Sequence, residues 1–287
     1  MPPLNNLCAG KPAAPARAAQ QDLYLVSDGA RIRYRDEGQG PAVLMVHGWT
    51  LDLEMWDPQV ADLCNTFRIV RFDRRGFGLS SGRPDATTDT LDIRRLCEHL
   101  GITRVALVGM SQGARTVLGV AGVVPQMIWC LVLDGPPSID PEPSTAEAAI
   151  PLDYFRTLMR TQGIGAVRRE WAAHPLVSLR TADPRWRALL AAMLRRYPGN
   201  DLMSPTSTPD AQAAALSVET PQLPLLVITG EHEPAPRALA ADELAARSPG
   251  AERVVISAAG HLPNLDNPLE YNASLRGFLQ RHAPPFR

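Results

Sequence analysis

The chain has 287 residues, 45% hydrophobic and 21% charged, which is enough apolar material for one large core and unlike a disordered chain. Its formal net charge is -1, and 28 of its 29 basic residues are arginine with no basic block, so nothing reads as a nucleic-acid-binding tail. No stretch reaches the roughly 18 uncharged apolar residues of a membrane span, and residues 1–21, with Pro2, Pro3, Pro12 and Pro15, lack the apolar run of a secretion signal. The expectation is a cytoplasmic protein with a flexible tail over 1–21. Cys8, Cys64, Cys97 and Cys130 form neither a CxxC pair nor a metal-ligand cluster and are expected as free thiols.

From residue 22 the predicted elements follow one another closely. DLYLVSDGARIRYRDEG nearly alternates polar and apolar residues around Asp28-Gly29, which predicts two short antiparallel strands. PAVLMVHGWT gives a dense apolar strand ending in glycine, 54–64 a short helix, FRIVRFD a strand and 87–99 a helix. RVALVG then predicts a central strand, 111–124 its helix, and MIWCLVLD at 127–134 the next strand. LPLLVITG at 223–230, a helix at 236–248, ERVVISA at 252–258 and a helix at 268–281 complete the series. Continuously apolar strands separated by helices predict an α/β fold: a mostly parallel sheet covered on both faces.

The rhythm breaks between 136 and 219, where proline-rich stretches flank helix-like pieces around DYFRTLMRTQGIGAVRREWAAH and PRWRALLAAMLRRY. So long an excursion between core strands predicts an inserted helical cap, with the core at 22–135 and 220–287. A cap there would sit over the strand ends where ligands bind. Its apolar residues, among them Phe155, Trp171 and Met193, suit a cap core or an acyl pocket. Arg156, Arg160, Arg168, Arg169 and Arg180 suit a solvated helix face better than a carboxylate-binding patch.

Chemistry concentrates at the strand ends. Gly109-Met110-Ser111-Gln112-Gly113 matches G-x-S-x-G in a strand-turn-helix context, where small neighbours permit the sharp turn that exposes a nucleophilic serine. A serine hydroxyl needs a base, and His261, just beyond the last apolar strand, suits it: imidazole ordinarily titrates near neutrality and can serve serine and carboxylate at once. Two acids fit the histidine: Glu233 in LLVITGEHEP, giving the order serine, acid, histidine, and Asp134 at the end of the strand after the nucleophile. The backbone N–H groups of Trp49, in HGWT, and of Gln112 are candidates for an oxyanion hole. DRRGFGLS at 73–80 reads as a structural turn tied by Asp73 and Arg75. It lacks GxGxxG spacing, and His47, His232 and His261 lack HxH or HExxH spacing, so neither dinucleotide, metal nor other cofactor is expected.

HGWT, DRRGFGLSS, GMSQGA, LVITGEHEP and GHLPNLDNP, in this order, resemble the α/β-hydrolase family over roughly 22–284. Within it the pattern is similar to carboxylesterases and 3-oxoadipate enol-lactonase-like enzymes. The resemblance implies that Ser111 attacks an acyl carbon, that His261 shuttles the proton and that water releases the acyl group. Two departures stand out: glutamate at 233, where many members carry aspartate, and Ala114, where many small esterases carry a second glycine. The implied activity is hydrolysis of a small or medium carboxylic ester or lactone, with a small acyl compound and water as partners. Amidase, thioesterase, carbon-carbon bond hydrolase and cofactor-free perhydrolase chemistry use the same groups, and a ligand-binding protein on this scaffold is a reading of a different class. A serine at the elbow disfavours the related epoxide hydrolases and haloalkane dehalogenases, which use aspartate there.

Overall fold

A computed structural model describes residues 21–137, 150–203 and 223–285. Its eight strands form one sheet: β1 (Leu23–Ser27), β2 (Ala30–Glu37), β3 (Ala42–Val46), β4 (Arg68–Phe72), β5 (Val105–Met110), β6 (Ile128–Asp134), β7 (Leu225–Gly230) and β8 (Glu252–Ile256). Their spatial order is β1-β2-β4-β3-β5-β6-β7-β8. The first hairpin pairs antiparallel, as does β2 with β4, and every later pair is parallel. Every residue of β3, β5, β6 and β7 is buried, the physical reason these segments read as unbroken apolar runs.

Helices cover both faces: α1 (Asp57–Leu63), α2 (Ala86–His99), α3 (Gln112–Val123), α4 (Leu152–Gln162), α5 (Ile164–Ala172), α6 (Pro184–Arg196), α7 (Ala235–Ala246), α8 (Pro263–Asp266) and α9 (Pro268–His282). Successive strand residues point to opposite sides, so Val43 and Met45 join a core with Val60, Tyr271 and Phe278. Leu44 and Val46 join another with Leu96, Val117 and Leu244. Truncating a fully buried leucine such as Leu107 to alanine would cost about 2–5 kcal/mol.

Two of the boundaries that differ from the sequence reading have a local cause. The helix expected at 54–64 divides into a 3-10 turn, Leu53–Trp56, capped by Asp52, and α1. Pro58, which lacks an N–H, fits the opening turn of α1 and not the interior of one longer helix. The last strand stops at Ile256 because the chain turns through Ala258 at φ 54°.

Strand order reverses around β3, with β4 on one side and β5 on the other, and the carboxyl ends of β3 and β5 lie adjacent, Val46 opposite Gly109. This switch point sets the HGWT loop beside Ser111. Above it lie α4, α5 and α6, the expected cap. Phe155, Val167, Trp171, Met193 and Tyr197 share one apolar cluster with the sheet face bearing Val43 and Met45. Polar ties add to this contact: Arg196 bridges to Asp52 at 2.7 Å and Glu54 at 2.5 Å, and the Trp49 indole donates to Asp201 at 2.7 Å. The cap's expected ends at 136 and 219 run into 138–149 and 204–222, which lie outside the described residues, as does the proposed tail through residue 20. Cys64, Cys97 and Cys130 are free, and Cys8 also lies outside.

Candidate active site

Ser111 sits between β5 and α3 with φ 52° and ψ -113°, a left-handed conformation costly for a residue with a side chain. Its neighbours hold it there. A Cβ on Gly109 would lie 2.4 Å from the Gly113 oxygen, and one on Gly113 would lie 2.3 Å from the Val46 oxygen, so only glycine permits so tight an elbow. The Ser111 N–H donates to the Asp134 carbonyl at 2.7 Å, and its carbonyl accepts from Ala114 at 2.9 Å. The side chain lines a small cavity of about 10 Å³, lined also by Trp49, Leu51, Met110, Trp171 and His261. That is room for about one water.

His261 reaches this cavity from the loop after β8. Asp266, on α8, fixes the loop by accepting from the Gly260 N–H at 2.9 Å and from the Arg180 and Thr181 N–H groups of the cap. The imidazole Nδ1 lies 2.7 Å from Glu233 Oε1, and both side chains are almost wholly buried. In the tautomer that donates Nδ1–H to the carboxylate, Nε2 is left as a base. Ser111 and His261 share the cavity, but no hydrogen bond joins their side chains among the described residues. Such bonds commonly tighten only when substrate is present.

Asp134 is placed differently. It is fully buried, neither carboxylate oxygen makes a well-formed hydrogen bond, and His261 pairs with Glu233 instead. Burial, then the Glu233 charge, pushes the Asp134 carboxyl well above its usual range, while the Tyr271 hydroxyl opposes the shift. Asp134 touches the elbow through its backbone, as acceptor of the Ser111 N–H.

Next in the chain stands Gly135, a residue the sequence reading passed over. At φ 51° it forms the floor under the imidazole: a Cβ there would lie 2.8 Å from Cε1 and 2.9 Å from Nδ1 of His261. A glycine directly after an apolar strand is the only signal that pointed to it.

The HGWT loop presses onto the elbow because Gly48 has no side chain. A Cβ there would lie 2.6 Å from Met110 Sδ and 3.5 Å from Ser111 Cβ. Gln112 opens α3, so its N–H is one of the unpaired donors of a helix start. Trp49 packs against Trp171 at 4.5 Å and Phe155 at 5.5 Å between ring centres, forming a cavity wall. His47, fully buried, donates Nδ1–H to the Gly48 carbonyl at 2.8 Å and accepts the Arg74 N–H at Nε2, 2.9 Å. Burial, then the Arg74 charge, lowers its pKa to about 3, while the bond to Gly48 opposes this; the ring is neutral at ordinary pH.

Arg74, read from the sequence only as part of a turn, bonds Gln112 Oε1 and Asp89 Oδ2, each at 2.8 Å. It thereby links the loop after β4 to the helix that carries the elbow. Asp73 and Arg75 do tie their loop: Asp73 accepts from the Leu53 and Leu79 N–H groups, and Arg75 pairs with Asp92 at 2.7 Å. Of the cap arginines, Arg156 pairs with Asp153, and Arg168 donates to the Tyr197 carbonyl. His232 is half exposed beside Glu231, and no group of three or more metal-binding side chains occurs among the described residues. No helix among them is long and apolar enough to cross a membrane.

A mostly parallel sheet with a strained serine at its switch point and a helical cap above it defines the architecture of the α/β hydrolases. The chain matches the alpha/beta hydrolase fold family over residues 41–268 and belongs to that family. It is 27% identical to the pimeloyl-[acyl-carrier protein] methyl ester esterase of Nitrosomonas europaea, over 84% of this chain and 97% of that protein. It is 29% identical to the dihydrolipoyllysine-residue acetyltransferase component of the acetoin cleaving system of Pseudomonas putida, over 86% of this chain but 65% of that protein. The match to a putative non-heme chloroperoxidase of Synechocystis sp., 37% identical, spans 30% of this chain and only 33% of that relative. Among solved structures, a thermophilic esterase from Thermogutta terrifontis superposes with a TM-score of 0.74 at 24% identity, over 92% of this chain and all of that one. The enol-lactonase of Burkholderia xenovorans LB400 superposes at 0.71 and 24%, over 90% of this chain and all of that one. At such identity these structures establish the fold alone.

Proposed function

We propose that this protein is a serine hydrolase that cleaves a small or medium carboxylic ester or lactone through an acyl-enzyme. The observation carrying the reading is that an elbow serine and a histidine line one small cavity, with the Glu233 carboxylate 2.7 Å from the Nδ1 of that histidine. Ser111 Oγ attacks the acyl carbon while His261 Nε2 takes its proton. Glu233 holds the imidazole in the required tautomer and stabilises the imidazolium that forms. The N–H groups of Trp49 and Gln112 stabilise the developing oxyanion, and His261 returns its proton to the leaving alcohol. Water, deprotonated by His261, then attacks the acyl-enzyme, and His261 passes that proton to the departing Ser111 Oγ as the acid is released.

Steady-state hydrolysis of activated esters from acetyl to octanoyl, and of simple lactones, with Ser111→Ala as matched control, tests the reading. Serine-dependent turnover reduced by about 10⁴-fold or more in the variant is expected. Turnover that persists at the wild-type rate in folded S111A would remove the assignment.

A further inference from the structure

A threonine stands where the backbone favours glycine. Thr50, which follows the oxyanion-hole candidate Trp49, is 1% exposed and has φ 64°. A β-branched side chain is strained in that left-handed region and persists there only when its surroundings hold it. Its hydroxyl makes two bonds. It accepts the indole N–H of Trp171, on α5 of the cap, at 2.7 Å and donates to the Trp49 carbonyl at 2.6 Å.

The side chain of Trp49 is tied to the cap as well. Its indole N–H donates to Asp201 Oδ2 at 2.7 Å, and Oδ1 of that carboxylate accepts the Tyr197 hydroxyl at 2.6 Å. The rings of Trp171 and Tyr197 pack edge-on against Trp49, their centres 4.5 and 5.8 Å away. The core supplies a third anchor: His47 Nδ1–H donates to the Gly48 carbonyl, which lies in the same planar peptide as the Trp49 N–H. That N–H donates to no backbone carbonyl among the described residues. Trp49 and Trp171 line the cavity that Ser111 and His261 share, whereas Thr50 and Asp201 stand behind its wall.

We propose that the cap sets the oxyanion hole: Thr50, Trp171 and Asp201 are positioning residues that hold the Trp49 N–H at the oxyanion position while the cap is seated on the core. This rests on the hydrolase reading for its chemistry, but the tether is measurable without turnover. A donor stabilises a developing oxyanion only as well as it is aimed beforehand, so a support one bond removed from it governs the rate more than the binding of substrate.

The test measures hydrolysis of p-nitrophenyl acetate by wild type, W171F, T50V, T50S and D201A, with thermal melts to confirm folding. W171F keeps an aromatic wall without the N–H, T50V keeps the shape without the hydroxyl, and T50S keeps the hydroxyl. Removing an oxyanion donor outright costs about 10²–10³ in kcat, so loss of one support is expected to lower kcat about tenfold in W171F, T50V and D201A. KM is expected to change by less than about twofold, and T50S to retain most of the wild-type rate. The ketone 1,1,1-trifluorobutan-2-one takes up Ser111 Oγ at its carbonyl carbon, giving a tetrahedral oxyanion while the serine proton passes to His261. Its affinity is expected to fall by the same factor as kcat/KM. Unchanged kcat in folded W171F and T50V, a loss confined to KM, a T50S as slow as T50V, or a ketone affinity that stays at the wild-type value while the rate falls would each overturn the proposal.

Nitrogen-15 relaxation of the Trp49 and Gln112 amides reads the tether directly. In W171F the Trp49 amide is expected to lose order while that of Gln112, at the start of α3, keeps it; equal order at Trp49 in W171F and wild type overturns the tether. If wild type shows no Ser111-dependent turnover while the Trp49 amide alone loosens in W171F, the hydrolase reading fails and the tether stands. Serine-dependent turnover with an unaltered Trp49 amide has the opposite meaning.

Discussion

Replacing Glu233 separates the two acids that the sequence left open. In E233Q the amide retains the size of the side chain but offers either a donor or a neutral oxygen to His261 Nδ1, across a distance of 2.7 Å in a site where both partners are buried. With the amide donating, the proton moves to Nε2 and the base is lost; with it accepting, the imidazolium loses its counter-charge. Removing the triad carboxylate in well-studied serine enzymes lowers kcat by about 10⁴, equivalent to about 5 kcal/mol of transition-state stabilisation. We expect E233Q to lose about 10³ to 10⁴ in kcat/KM. D134N removes no bond to His261 and should lose less than about tenfold, within the range of an indirect packing effect. The assay is hydrolysis of an activated acetyl ester at neutral pH, with circular dichroism and thermal melts to confirm folding. A D134N loss that equals or exceeds that of E233Q, with both proteins folded, would refute the Glu233 reasoning.

Gly135→Ala forces a Cβ to 2.8 Å from His261 Cε1 at a backbone φ of 51°, so we expect about 1–3 kcal/mol of destabilisation and a larger proportional loss of turnover; steady-state kinetics beside thermal melts would show it, and full activity would contradict it. Asp134 binds its proton more tightly folded than unfolded, so its contribution to stability declines as pH rises from the ordinary carboxylate range toward its raised folded pKa. The stability of D134N relative to wild type should therefore grow with pH in urea melts between pH 4 and 8, and a constant difference would count against the shift. His47 titrates near pH 3 when folded and near 6.5 when unfolded, so the stability that it contributes is complete above about pH 6.5 and is lost as pH falls toward 3. Its ring resonances should not move between pH 8 and 5 by NMR, and a midpoint near 6 would contradict the burial argument. Arg196→Met leaves Asp52, 1% exposed, without its cap-side partner, and should loosen cap from core, seen as faster amide exchange in α6 before any loss of sheet protection.

Most of the framework was legible locally. Strands buried on both faces read as unbroken apolar runs, as in VALVGM, and helices between them by their one apolar side. The elbow was legible because its glycines answer a steric demand of the immediate neighbourhood, visible at Gly109 and Gly113. Pro58 hid one boundary, since its effect depends on where the helix begins. Gly135 and Arg74 passed unnoticed because their partners, His261 and Gln112, are remote in sequence.

The sequence by itself determined the α/β alternation, the inserted cap and the residue types available at each strand end, because these follow from periodicity, chain length and local backbone sterics. Only the tertiary structure decided which carboxylate meets His261. Asp134 ends β6 and Glu233 lies in the turn after the neighbouring β7, and their positions along the chain are equally compatible with pairing. The choice rests on side-chain direction and burial: the Glu233 oxygen lies 2.7 Å from the imidazole, while Asp134 is enclosed in the sheet with its backbone, not its carboxylate, turned to the elbow. Distance and desolvation are properties of packed groups, and no single segment of the chain encodes them.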